Sequence, residues 1–231
     1  MDLKPEITAR VRCFIKGAEM IHFNAAALYR EALILRAAGA FARASVLHQI
    51  SMEECSKVDT IGAVVVSILA GQEVDEASLT KNFRDHKAKN YANAYNAEPT
   101  DEEHSARERR DWEAAQAAFR KFQKDFHKSM NDIKKAGLYV DYNDGTFSAP
   151  VDTVNEAMSI ACMQLNADFL RRGEDFIRLM KRIGAEPDRY AKAFLAFFSN
   201  TEAMRLKDEL DAEAIVQAIV EQMRHQLGGS G

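Results

Sequence analysis

Apolar residues recur along this chain at helical spacing rather than in strand-like alternation. The first such series is Phe14, Ala18, Ile21, Ala25, Leu28, Ala32 and Leu35. It predicts a helix that starts near Pro5, a favoured first-turn residue, and ends at Gly39, which suits a C-terminal cap. A second series, Leu47, Ile50, Val58, Ile61, Val65 and Ile68, falls within one arc of roughly 80° at 100° per residue. It predicts one helix from about Ala40 to Ala70, halted at Gly71. A tight turn joins the two into an antiparallel hairpin.

A third, shorter helix is expected from Glu76 to about Tyr95, rich in Lys, Asn and Tyr and modest in burial. Glu98-Pro99 ends it. Thr100-Asp101-Glu102-Glu103 then reads as a capping box opening a long helix to Ala136, with Trp112, Ala115, Phe119, Phe122, Phe126 and Ile133 on one face and Gly137 as its stop. Leu138 to Pro150 is the only non-helical island. Its β-prone aromatics are interrupted by Asn143-Asp144-Gly145, a turn signal, so it is expected to form a short hairpin or an ordered loop. A helix from Val151 to Ile183 carries Met158, Ala161, Leu165, Phe169, Phe176 and Leu179. Shorter helices follow over 187–199 and 201–226, and Gly228-Gly-Ser-Gly231 resembles a flexible tail.

The second helix holds the most telling misfit. Glu54 lies near the middle of the predicted apolar arc, with Lys57 and Arg43 at its margins. An uncompensated carboxylate on a buried stripe costs several kcal/mol, so it must find partners or line a pocket. Lys57 follows Glu53 by four residues and Glu54 by three, within reach of both. An intrahelical pair of that kind is often purely structural, and this is the plainer reading for Glu53 on the polar side.

Composition narrows the class. Four prolines and eleven glycines in 231 residues are few, and Ala, Leu, Lys, Glu and Arg are abundant, which makes the protein all-α. The longest apolar run, Ile61 to Ala70, is too short for a bilayer, and charges stand where a signal peptide needs an apolar core. A soluble, cytoplasmic protein without membrane partners is expected. Cys13, Cys55 and Cys162 are odd in number and far apart, so neither a disulfide framework nor a zinc cluster is suggested. A net charge of −4 gives no global attraction for DNA or RNA, so any RNA contact must be local. Length and pattern suggest a helical bundle over 1–184 with a C-terminal helical appendage over 185–231.

Three further motifs carry candidate chemistry. In Phe83-Arg84-Asp85-His86-Lys87-Ala88-Lys89, His86 and Lys89 share a face and join a proton-exchanging group to a phosphate-binding cation. A solvated basic turn would look the same. Arg43 and His48 form a literal R-x4-H, but at that separation the side chains point about 140° apart. Glu19-x-x-His22 resembles half of a di-iron site, yet Asp101-x-x-His104 at a helix start does not complete it, so no metal and no cofactor is expected. His127 and His225 show no partner in the sequence. Phosphate loops, nucleophile elbows and H-E-x-x-H helices are absent.

Taken in order, Ala25-Ala-Ala-Leu-Tyr-Arg-Glu-Ala-Leu33, Phe41-Ala-Arg-Ala44, Ser51-Met-Glu-Glu-Cys-Ser-Lys57, the Phe83–Lys89 segment and Lys134-Lys-Ala-Gly-Leu-Tyr-Val-Asp141 resemble the AbiV family of bacterial abortive-infection proteins, related to the HEPN superfamily. The resemblance covers roughly residues 14–145. It implies a HEPN-like helical bundle, often a homodimer, that acts in phage defence by stopping growth of the infected cell. Many HEPN proteins are metal-independent endoribonucleases whose R-x4-6-H motifs meet across a dimer. Here Arg43 and His48 lie on the second helix, whereas the usual motif lies on a later one. Carried over by position, the site residues are Glu53, Glu54, Lys57, His86, Lys89, Tyr139 and Asp141, with Arg43, Arg84 and Lys87 as RNA contacts. A phage-encoded activator or inhibitor is a further expected partner. The expected mechanism uses His86 as base, Lys57 and Lys89 as phosphate ligands, and Glu54 to orient a lysine. The rivals are a non-enzymatic module binding a phage or ribosomal protein, and a metal-binding bundle.

Overall fold

The computed structural model describes residues 3–85, 89–90, 93–94 and 99–198. Its elements are α1 (Pro5–Ala37), α2 (Phe41–Cys55), α3 (Lys57–Leu69), α4 (Glu76–Arg84), α5 (Asp101–Glu108), α6 (Trp112–Leu138), β1 (Asp141–Asn143), β2 (Thr146–Ser148), α7 (Pro150–Thr153), α8 (Glu156–Ala185) and α9 (Pro187–Phe198). The fold is all-α with one antiparallel hairpin, in which Tyr142 faces Phe147 across the strands. No described helix is long and apolar enough to cross a membrane. His86, Lys87, His225 and the expected helix over 201–226 lie outside the described residues.

Several predicted helices are divided, each by an identifiable local bond. The helix expected over 40–70 breaks at Ser56, whose hydroxyl donates back to the Glu53 carbonyl at 2.9 Å. Small hydroxyl side chains compete in this way with the helical ladder. The helix expected to reach Tyr95 is interrupted after Arg84, and Lys89, Asn90, Asn93 and Ala94 are again helical. The helix expected over 100–136 is two: Thr100 caps α5 through the Glu103 amide at 3.2 Å, and Asp111 caps α6 through the Ala114 amide at 3.0 Å. Arg110 between them takes φ of 56°, the left-handed turn that ends one helix so that the next can start. Asn155 likewise caps α8 by accepting from Met158 N at 3.0 Å, separating it from α7. Gly137 does not end α6; it lies inside the helix and is buried.

The described chain forms two compact units. One draws on residues 3–22, 57–81 and 172–198, and the other on 23–56, 82–85, 89–90, 93–94 and 99–171, so α1 and α8 each contribute to both. The first unit has an aliphatic core. Val11 and Ala18 of α1, Val58, Ile61 and Val65 of α3, Phe176, Met180 and Ile183 of α8 and Phe194 of α9 are all buried. Gly62 has no room for a β-carbon because the Phe176 ring occupies that space.

The second unit is built differently. Met52, Met130 and Phe169 are buried together, with Phe126, Ile133 and Leu165 packed against them. Around that cluster α2 buries polar and small residues: Ser45, His48, Gln49, Ser51 and Glu53. The Gln49 side-chain amide donates to the Met130 carbonyl, and Ser51 Oγ donates to the Ala25 carbonyl at 2.7 Å. A β-carbon at Gly137 would lie 2.6 Å from Val46 Cγ2 and 2.9 Å from the Ala42 carbonyl oxygen, so only glycine lets α6 come this close to α2.

The buried face of α2 is therefore not the one the hydropathy pattern predicts. On a 100° wheel the buried positions of α3 centre near Ile61 and Val65, in phase with the predicted arc. Those of α2 centre near Ser45 and Met52, roughly 150° away. Leu47, Ile50 and Glu54 are only half-buried and Arg43 is exposed. The apolar periodicity runs through Ser56 in sequence, but the positions buried in α2 and in α3 are different ones.

Candidate functional site

That phase change replaces Glu54 with Glu53. The Glu53 side chain is 4 % exposed, while Glu54 keeps partial contact with solvent. Two lysines from other parts of the second unit meet Glu53. Lys134 Nζ of α6 lies 3.0 and 3.3 Å from its two carboxylate oxygens, and Lys89 Nζ lies 3.9 Å from Oε2. A carboxylate taken out of water is tolerated only with such partners, and each bond to the charged group is stronger than a neutral one.

Glu53 and Lys134 of this ion triad line a cleft of about 240 Å³. From α6 the cleft receives His127, Asn131, Lys134, Lys135 and Leu138, positions i, i+4, i+7, i+8 and i+11, which one helical face must share. Asn90 and Tyr139 complete the lining. Asn90 is buried, and its amide nitrogen lies 3.3 Å from His127 Nδ1. An amide nitrogen donates, so in this arrangement Nδ1 accepts and the neutral ring carries its hydrogen on Nε2. Tyr139 follows the last residue of α6 and is exposed.

The predicted site residues scatter. Glu53, Lys89 and Tyr139 come together. Lys57 opens α3, in the other unit from Glu53 and Glu54. Asp141 is exposed at the start of β1, where it accepts from Tyr142 N at 2.8 Å and from the Asn143 amide at 3.0 Å, bonds that shape the hairpin. Arg84 is the exposed last residue of α4. Arg43 donates to the Gly137 carbonyl at 2.7 Å, a bond that ties α2 to the end of α6. His127, Lys134, Asn131 and Asn90 were missed. The spacing of the first three along α6 was a readable signal, but that helix was read only through its aromatic face.

A second polar cluster surrounds His48. The imidazole is fully buried. Its Nδ1 lies 3.2 Å from the Asn166 amide nitrogen, Ser51 Oγ lies 3.1 Å from Asn166 Oδ1, and the Tyr29 ring is centred 5.1 Å away. Nε2 has no hydrogen-bond partner among the described residues. Burial, and secondarily the Arg36 charge, lowers the pKa of His48 to about 4. Arg43 is exposed and His48 is sealed, so the literal R-x4-H does not converge. Glu19 of the half di-iron motif is held by Lys181 at 2.6 Å and Lys16 at 3.4 Å, and first the Lys181 bond lowers its pKa. Among the described residues no three His, Cys, Asp or Glu side chains converge as metal ligands do.

Comparison with known proteins supplies the family. An uncharacterised protein, y4gJ of Sinorhizobium fredii, is 32 % identical over 110 residues, covering 48 % of this chain and 57 % of that protein. The chain thus spans little more than half the length of this curated relative. No solved structure matches. The AbiV family model, of HEPN type, matches residues 14–171, a span that contains the whole Glu53 cleft, and this chain belongs to the AbiV family.

Proposed function

We propose that this chain is an abortive-infection effector that cleaves RNA at the Glu53 cleft without a metal ion. The observation that carries the reading is a buried carboxylate gripped by Lys134 and Lys89 in an open cleft that also holds an imidazole. Two ammonium groups on one carboxylate, with Lys135 in the same cleft lining, repel a divalent cation and attract a phosphodiester. Histidine is the side-chain type that trades protons near neutrality, and His127 replaces the expected His86 as base.

In this mechanism His127 takes the proton of a ribose 2′-hydroxyl. The 2′-oxygen bonds to phosphorus, the bond from phosphorus to the 5′-oxygen breaks, and the 5′-oxygen leaves with a proton from water. The products are a 2′,3′-cyclic phosphate and a 5′-hydroxyl. Lys134 and Lys135 stabilise charge on the phosphate oxygens. Glu53 positions Lys134 and is not itself a base, since two cations already hold it. The base role requires a half-turn of the Asn90 amide, so that its oxygen accepts from Nδ1–H and Nε2 offers its lone pair. The test is cleavage of total bacterial RNA in EDTA by purified wild type, His127→Ala and Lys134→Ala. Cleavage lost in both variants supports the reading, and equal cleavage by all three removes it.

A non-enzymatic binding module is the second reading, favoured by the exposed hairpin side chains Val140, Tyr142 and Phe147. Under it, Phe147→Ala abolishes toxicity in bacteria while His127→Ala leaves it intact. The enzyme reading expects the reverse.

A further inference from the structure

Beyond the cleft, α6 carries cations that the catalytic reading does not use, in line with Lys134 and Lys135, which it does. Arg120, Lys121, Lys124, Lys128, Lys134 and Lys135 fall within an arc of about 140° that also contains His127 and Asn131. All but Lys134 are exposed. From Arg120 to Lys135 the run extends about 22 Å at 1.5 Å per residue. No carboxylate of α6 shares the arc beyond Arg120: Asp125 and Asp132 lie outside it, and Glu113 is in the first turn. The opposing groups are Asp125 and Asp132, which border the arc four residues after Lys121 and Lys128, Glu102 of α5, 3.6 Å from Lys121, and Glu53 beneath Lys134. Lys124, Lys128 and Lys135 enter no ion pair among the described residues.

A chain of net charge −4 does not produce such a face by composition. An ordinary solvated helix face alternates signs at i, i+4, where opposite charges stabilise and like charges destabilise. Here Arg120, Lys124 and Lys128 repeat one sign at that spacing, a standing penalty that an external polyanion would relieve.

We infer that this stripe is a track for the backbone of single-stranded RNA leading into the Glu53 cleft, which rests on the cleft being the site of RNA cleavage. About 22 Å accommodates roughly six nucleotides at a stacked rise of about 3.4 Å. Two features favour a single strand over a duplex. Tyr139 presents an exposed ring at the cleft, and a ring binds a base only when that base is unstacked. A 2′-hydroxyl also comes into line with its own phosphodiester only when the nucleotide leaves A-form geometry.

The experiment measures anisotropy of fluorescent oligouridylates of twelve and three nucleotides, and of a twelve-base-pair RNA duplex, on full-length His127→Ala, so that the RNA survives. Potassium chloride is varied from about 50 to 300 mM. The twelve-mer is expected to bind at least tenfold tighter than the three-mer or the duplex. Its log affinity should fall with log salt with a slope of about −3, at about 0.7 per engaged phosphate, and Arg120→Gln/Lys124→Gln/Lys128→Gln should reduce that slope by about 2. Equal binding of long and short strands, an unchanged slope in a triple variant with wild-type circular dichroism, or equal competition by polyglutamate would each overturn the track; the last would point to an acidic protein partner. Failure of the catalytic reading is separable. If wild type never cleaves yet the strand binds as described, the track stands alone. If the triple variant keeps both strand affinity and cleavage, the cleft stands and the track falls.

Discussion

Two polar clusters share α2 and differ in one respect that assigns their roles. His48, Ser51 and Asn166 satisfy one another in a sealed interior, and the leftover His48 Nε2 reaches no solvent. Glu53 is nearly as buried, but its partners are two cations, which outnumber it, and one of them, Lys134, lines an open cleft. A neutral, closed network specifies how helices pack. A charge-surplus network beside a cavity leaves electrostatic capacity for a ligand. Burial of a titratable group therefore does not mark function by itself; under the proposed function, the imbalance of charge at an opening does.

The largest expected effect is a split between the two histidines. His127→Ala should lower RNA cleavage on the order of 10²–10⁴-fold, the usual worth of a positioned general base, with the melting temperature unchanged. His48→Ala should leave cleavage per folded molecule intact and lower stability by about 2–4 kcal/mol, as a large buried side chain is lost with its hydrogen bond. Steady-state cleavage and urea unfolding on both variants decide it. A stable, inactive His48→Ala protein would reverse the assignment.

Next in size is removal of one partner of the buried ion triad. Lys134→Met should destabilise the second unit by about 3 kcal/mol, because Glu53 is left buried with less compensation. Glu53→Gln/Lys134→Met should recover most of that loss without recovering activity. Lys134→Met unfolding at the wild-type urea midpoint would show that the carboxylate does not need its lysine.

Comparable in size is the pH response, to which the sealed cluster contributes through His48. His48 has a folded pKa near 4 against about 6.5 unfolded, so between these values the unfolded chain binds more protons and stability rises with pH. As pH falls from about 6.5 to 4, roughly 3 kcal/mol is lost, and below that no more is lost through this group. His48→Gln should flatten that window. A wild-type profile equally flat from pH 4 to 6.5 would mean that the buried ring is not kept neutral.

The sequence made the helical class, the first seam, the turn at Asn143-Asp144-Gly145 and the family legible, because those depend on local spacing. It misled at Glu54 because periodicity sees only apolar residues. In α2 the buried face is Ser45, His48, Gln49 and Met52, which a hydropathy wheel takes for surface. The buried face changes where α2 ends at Ser56, and the bond from its hydroxyl to the Glu53 carbonyl leaves no trace in an apolar pattern. Lys89 and Tyr139 were reached through family resemblance. His127 and Lys134 were legible as a polar stripe, yet their meeting with Glu53 is a tertiary contact across 81 residues in the case of Lys134.

The smallest predicted effect tests how the open cluster is assembled. Lys134 meets Glu53 because α6 approaches α2 closely, and Gly137 is where that approach is tightest, with Val46 Cγ2 2.6 Å and the Ala42 carbonyl oxygen 2.9 Å from a would-be β-carbon. Gly137→Ala gains helix propensity but forces the two helices apart at the cleft end, for a net cost of about 1–2 kcal/mol. Its signature is unequal: the His48 cluster on the same helix should keep its pH response, while cleavage falls more than stability does, since Lys134 and the Arg43 bond to the Gly137 carbonyl move with the α6 backbone. Equal or greater stability with full activity would show that the glycine is incidental and that the cleft does not depend on this close approach.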